Sequence, residues 1–276
     1  MAENMMNPGG YHPRLDPGEP CVTTRSQSRR TFVQVLGSSL ASLAGCSSGP
    51  TEPASGSARL STRPAEPTAT LAPGLWPLGL DTGRDGALLV PASYQADVAA
   101  PLMLLLHGAG GSATDMLDFR SADAEREGIL LLAVDSRTSS WDAIRSAYGV
   151  DVAFIDKALA FTFARCRVDP EHIIVEGFSD GASYGLGLGI ANGDVFTRVV
   201  ALSPGFIPRF DGDPVGNPPI FVAHGTKDLI LPIDETSRYW VEVLRNEGYT
   251  VTFVEHDGGH MVPAAVAAQA LAWSLG

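Results

Sequence analysis

The pentapeptide Gly177-Phe178-Ser179-Asp180-Gly181 constrains this chain more than any other stretch. It reads G-x-S-x-G, and its surroundings give the pattern weight. Before it runs His172-Ile173-Ile174-Val175-Glu176, short and β-branched, as suits a buried strand. After it, residues 182–189 are rich in small side chains, as suits a helix packed close to a sheet. A strand that turns directly into a helix needs glycine where a side chain would clash. Such a turn holds its central residue strained at the carboxyl edge of the sheet, which makes Ser179 the candidate nucleophile. The plainer alternative is a Gly-rich loop carrying an ordinary serine.

The rest of the chain supplies a frame for that turn. Residues 75–80 and 87–90 flank Asp81-Thr82-Gly83-Arg84-Asp85-Gly86 and read as an antiparallel hairpin. Residues 101–106 and 129–134 are unbroken apolar runs, as expected of strands covered on both faces. A helix over 115–127 separates them, and a second follows over 148–165, with Val152, Ile155, Leu159 and Phe163 sharing a face. Further strands are expected at 198–202, 219–223 and 250–254, and further helices at 234–246 and 263–275. Strands alternating with helices predict an α/β fold, a mainly parallel, doubly wound sheet in three layers. Only a short loop, Ser203 to Pro219, lies where a lid could be inserted, so no cap domain is expected.

A serine nucleophile needs a base, and the base needs an orienting acid. Both should follow strands, because loops at the carboxyl ends of parallel strands converge. His107 and His224 each end a strand before glycine and read as structural groups in the turn. His256 continues the last strand. His260 follows Asp257-Gly258-Gly259, which lets the loop carry its side chain over the sheet edge, and is the candidate base. Asp228, just after the penultimate strand, is the candidate acid. Asp257 is too close in sequence to His260 to orient it, and Asp234 reads as a helix cap. The order Ser179, Asp228, His260 is that of the G-x-S-x-G hydrolases. An oxyanion needs backbone N–H donors. One is expected at Asp180, helped by the helix N-terminus, and one at Ala109 in His107-Gly108-Ala109-Gly110-Gly111. That loop lacks the endings of phosphate-binding loops.

Taken together, residues 106–111, Gly177-Phe178-Ser179-Asp180-Gly181-Ala182-Ser183, His224-Gly225-Thr226-Lys227-Asp228 and Gly259-His260 resemble the phospholipase/carboxylesterase branch of the α/β-hydrolases. The resemblance covers residues 73–276. It implies the α/β-hydrolase fold and ester hydrolysis through an acyl-enzyme, with thioester, polyester or feruloyl-ester cleavage as variants of the same chemistry. A catalytically silent binding protein on the same fold is the rival of a different class. Asp180 stands where many relatives carry glutamine, and its backbone N–H serves equally. Trp141, Phe206 and Ile207 are the candidate pocket walls. The short loop after Ser203 implies an open site for small or polymeric esters. No cofactor or metal is expected.

The front of the chain reads differently. Residues 28–33, Ser-Arg-Arg-Thr-Phe-Val, resemble a twin-arginine export signal, and an apolar stretch too short to span a bilayer follows. It ends in Leu43-Ala44-Gly45-Cys46, which resembles a lipobox with Cys46 as the lipidated residue. Residues 1–46 are thus expected to be an export signal, and residues 47–72, rich in Ser, Pro and Thr, a flexible tether to a catalytic domain at 73–276. This predicts an exported lipoprotein held at the cell envelope, membrane-bound through Cys46 and monomeric. The formal net charge of -12 repels phosphate backbones, so nucleic acid is not an expected partner.

Overall fold

The computed structural model describes residues 56–276. The expected export signal, with Cys46, and the first part of the expected tether lie outside the described residues. Eight strands make one sheet: β1 (Gly74–Pro77), β2 (Gly86–Val90), β3 (Ala100–Leu106), β4 (Leu130–Val134), β5 (Val168–Phe178), β6 (Arg198–Leu202), β7 (Ile220–Gly225) and β8 (Val251–His256). Their order across the sheet is β1-β2-β4-β3-β5-β6-β7-β8. Only β2 runs against its neighbours, and the other pairings are parallel.

Helices cover both faces: α1 (Ala113–Glu127), α2 (Asp142–Arg145), α3 (Val150–Phe163), α4 (Asp180–Ala191), α5 (Ser237–Asn246) and α6 (Ala264–Leu275). The two-residue period of each strand divides its side chains between two cores. Leu102, Leu104 and Leu106 of β3 face the core under α3, α4 and α5. Met103 and Leu105 face the core under α1 and α6. An unbroken apolar run is therefore what a strand in this sheet requires, because neither face meets water.

The order of the strands places the site. After β3 the chain moves to β4 on one side, and after β5 it moves to β6 on the other. The loops leaving these two adjacent strands diverge, which opens a crevice at their carboxyl ends. Between β6 and β7 there is neither helix nor strand, so no cap covers the crevice from that loop.

Three expectations need correction. Residues 56–72 do not behave as a tether: they form a strap along the α3 and α4 side of the domain. Ala58 and Leu60 are buried in the core. The side chain of Asn192 clasps the strap, donating to Ala58 O (2.7 Å) and accepting the Leu60 N–H (2.8 Å). Arg59 and Arg63 both pair with Asp194, and Asp156 accepts the N–H groups of Ser61 and Thr62. Composition misleads here because two apolar anchors and a few polar clasps suffice to fix an otherwise polar segment. Next, β5 begins at Val168, so His172 lies within it, paired with Asp169. Finally, α5 starts after Asp234, with Thr236 at its N-cap position. Asp234 pairs with Arg238 one turn ahead instead of capping the helix.

Candidate active site

The turn from β5 into α4 is as tight as its glycines imply. A Cβ on Gly177 would sit 2.1 Å from Gly181 O, and one on Gly181 would sit 2.2 Å from Leu106 O. Side chains at either place would push the elbow off the sheet. Ser179 pays the conformational cost between them, with φ 56° and ψ -119°. Its N–H donates to Leu202 O across the sheet (2.9 Å), and its own carbonyl accepts the Ser183 N–H (3.0 Å). The strained residue is thus gripped on both sides, the condition under which such a conformation persists.

Ser179, His260 and Asp228 form one hydrogen-bonded chain. Ser179 Oγ lies 2.8 Å from His260 Nε2, and His260 Nδ1 lies 2.6 Å from Asp228 Oδ2. The other oxygen of Asp228 accepts the N–H groups of Ile230 and Leu231, each at 2.9 Å. A carboxylate so held keeps the Nδ1–H tautomer of His260 and leaves Nε2 free to take the serine proton. Burial alone would raise the Asp228 pKa. The Leu231 N–H, the His260 ring and the Ile230 N–H outweigh it and hold the carboxyl below its usual range.

The loops that carry the acid and the base are tied to each other. Thr226 N–H donates to His256 O (2.9 Å) and Lys227 N–H to Gly258 O (2.8 Å). Of the competing candidates, His256 ends β8 with its carbonyl bonded to Thr226, and Asp257 pairs with Lys227 at 2.6 Å.

The two remaining strand-end histidines brace the site. His224 is fully buried beneath Asp228, donates from Nε2 to Leu231 O (2.9 Å) and accepts from Ser237 Oγ (2.6 Å). His107 donates from Nδ1 to Gly108 O (2.7 Å) and accepts the Ser136 N–H at Nε2 (3.0 Å). Burial pushes both imidazoles below their ordinary pKa, so each is a neutral strut. In the loop after β3, the N–H groups of Gly110 and Gly111 are taken by Ser139 O and Gly108 O. The Ala109 N–H has no partner among the described residues. Asp180, the first residue of α4, has no acceptor for its N–H within the helix. Its side chain accepts from the buried Ser140 hydroxyl at 2.5 Å, which fixes the start of the helix.

The family model described as Phospholipase/Carboxylesterase matches residues 135–266. The protein named "Putative esterase NocK" from Nocardia uniformis is 30% identical over an alignment of 168 residues that covers 56% of this chain and 48% of that one. The chain thus spans about half the length of that relative. Feruloyl esterase C of Emericella nidulans is 26% identical over 212 residues, covering 64% of this chain and 76% of that one. Among solved structures, the Bacillus cereus carboxylesterase aligns with a TM-score of 0.53 at 23% identity, over 70% of this chain and 94% of that chain. Esterase PE8 aligns with a TM-score of 0.55 at 20% identity, over 69% and 97%. The fold is the α/β-hydrolase fold.

On this α/β-hydrolase sheet Trp141 is not a pocket wall, and Phe206 and Ile207 do not line the cavity beside His260. Trp141 is only 1% exposed. Its Nε1–H donates to His107 O (2.8 Å), and its ring packs between those of His107 and Tyr184. It supports the loop after β3 from beneath and has no face toward a ligand. Phe206 and Ile207 line a separate small depression with residues of and around α2. The cavity beside His260, of about 450 Å³, opens instead between the 107–111 loop, α1 and residues 261–262. Its apolar walls include Met116, Phe119 and Phe178, which the sequence reading missed. The one available signal was the three-residue spacing of Met116 and Phe119 on a helix that follows the 107–111 loop.

Proposed function

We propose that this protein is a serine carboxylesterase. The observation that carries the reading is the unbroken chain from Ser179 Oγ through His260 to Asp228, at 2.8 and 2.6 Å, on an α/β-hydrolase sheet. His260 Nε2 takes the Ser179 proton as Oγ bonds to the ester carbonyl carbon, and the carbonyl π pair moves onto oxygen. The amides of Ala109 and Asp180 receive that oxyanion. When the intermediate collapses, the bond to the alcohol oxygen breaks and His260 returns its proton to that oxygen. Water then repeats the sequence, releasing the acid and restoring Ser179. Thioesters, polyesters and feruloyl esters would be cleaved by the same steps.

Ser179→Ala should lower kcat on 4-nitrophenyl acetate by about 10⁴-fold or more, with an unchanged circular-dichroism spectrum. Turnover near that of the parent protein would refute the assignment. We also infer, from Arg29-Arg30 and Leu43-Ala44-Gly45-Cys46, that the chain is exported and lipidated at Cys46. Cys46→Ser should then move it from the membrane to the soluble fraction of its bacterial host, and continued membrane retention would refute lipidation.

A further inference from the structure

We propose that the cavity beside His260 receives the alcohol part of the ester, and that this part is an apolar, ring-sized group. The inference rests on the reading of Ser179, His260 and Asp228 given above. The leaving oxygen must come within hydrogen-bonding reach of His260 Nε2, because that atom protonates it. The alcohol oxygen therefore lies on the His260 side of the carbonyl carbon, and the carbonyl oxygen lies toward Ala109 and Asp180. Whatever the alcohol oxygen carries must continue past the imidazole.

A cavity of about 450 Å³ opens at that place, bounded by the base itself, the two residues that follow it and the loop bearing Ala109. That is room for a ring-sized group. Its walls are apolar. Phe178 packs on the His260 ring with centroids 5.0 Å apart. Met116 and Phe119 face the cavity from α1, and Met261 and Val262 continue from the base.

The polar side chains at its edge are partly engaged. Asp115 Oδ2 receives the Ser112 N–H and hydroxyl in the cap of α1. His107 is bonded at both ring nitrogens. Apart from the Ala109 N–H, which is assigned to the oxyanion, no uncommitted side-chain donor lines the cavity, and the Asp115 carboxylate repels a second negative charge. By the same geometry the acyl part leaves the carbonyl carbon away from this cavity and is not held by its walls. The loop after β6 is pinned, with the Gly205 N–H on Ser183 Oγ (2.9 Å) and the Leu231 side chain close to Gly205. Phe206 and Ile207 line a smaller cavity of about 170 Å³ that shares no wall with the first.

The test uses two ester series on the full-length protein. One holds the acid as acetate and varies the alcohol from methyl through butyl and hexyl to benzyl. The other holds the alcohol as ethyl and lengthens the acid from acetate to hexanoate. These alcohols leave with similar intrinsic ease, so differences report binding. Along the alcohol series kcat/KM should rise about fourfold per methylene, benzyl acetate should exceed its 4-carboxy derivative at least tenfold, and the acyl series should stay nearly flat. Benzyl alcohol should inhibit competitively.

Phe119→Ala should lower the ratio of benzyl to methyl acetate turnover within that variant. Met261→Ser, at an exposed position that tolerates change, should lower it as well should the first variant not fold. A steep acyl series with a flat alcohol series would overturn this proposal and leave the esterase reading standing. No Ser179-dependent turnover on any ester would overturn both.

Discussion

Leu60→Ala separates a structural strap from a tether, and its cost can be worked from the contacts. Leu60 is 3% exposed, inside the core beneath α3 and α4. Transfer of a leucine side chain from core to water costs about 1.5–3 kcal/mol, and Leu→Ala in cores costs about 2–5 kcal/mol once the cavity is included. A surface strap can settle into part of the space it vacates, which puts the expected loss at about 2–3 kcal/mol, the lower half of that range. With a urea m-value of about 2–3 kcal/mol per molar, the midpoint should fall by about 1 M.

The ion pairs of Arg59 and Arg63 with Asp194 add little, because all three side chains are about one-third exposed. They leave a separate signature in pH. Chiefly through its hydrogen bond to Arg59, and then that to Arg63, Asp194 is held well below the usual carboxyl range. A carboxyl depressed in the folded state contributes stability above its unfolded pKa of about 4, and that contribution is lost as pH falls further. Between pH 5 and 3, Asp194→Asn should therefore lose stability less steeply than the parent, by no more than about 1 kcal/mol. Urea titrations followed by tryptophan fluorescence measure both effects. A Leu60→Ala midpoint within about 0.2 M of the parent, the range of a neutral surface change, would show that residues 56–63 are detachable.

The buried pair beneath the nucleophile gives a sharper test of the frame. Arg120 and Glu176 are both fully buried and joined by two 2.8 Å bonds, so Arg120→Met should cost about 3–5 kcal/mol by stranding the Glu176 charge. Adding Glu176→Leu should recover most of that loss. A double variant no more stable than the single one, by thermal or urea unfolding, would show that the pair acts through contacts other than its charges.

What could be read from the sequence, and what could not, follows from the range of the interactions involved. The strands were legible because burial on both faces demands unbroken apolar runs, and β3, β4 and β7 show them. The elbow was legible because its glycines answer a local clash. Asp228 and His260 could be ranked because a doubly wound sheet sends the loop after each parallel strand to one edge. Trp141 fails that reasoning. It does follow a strand, but its indole N–H is claimed by His107 O, 34 positions earlier, and no pattern along the chain announces such a bond. The strap fails it too, since Asn192 clasps Ala58 and Leu60 from more than 130 positions away.

The cavity beside His260 combines both cases. Met261 and Val262 adjoin a residue already identified, whereas Met116 and Phe119 reach it only because α1 packs on the sheet beside the loop after β3. Catalytic groups must sit at strand ends, so topology restricts where to look for them. Walls need only be apolar and near, and dozens of residues meet that condition until the packing of helices selects among them. Chemistry is therefore readable at the level of the motif, and selectivity only at the level of the packed layers. For this reason the alcohol-side selectivity is the property on which the geometry, rather than the motifs, stands to be judged.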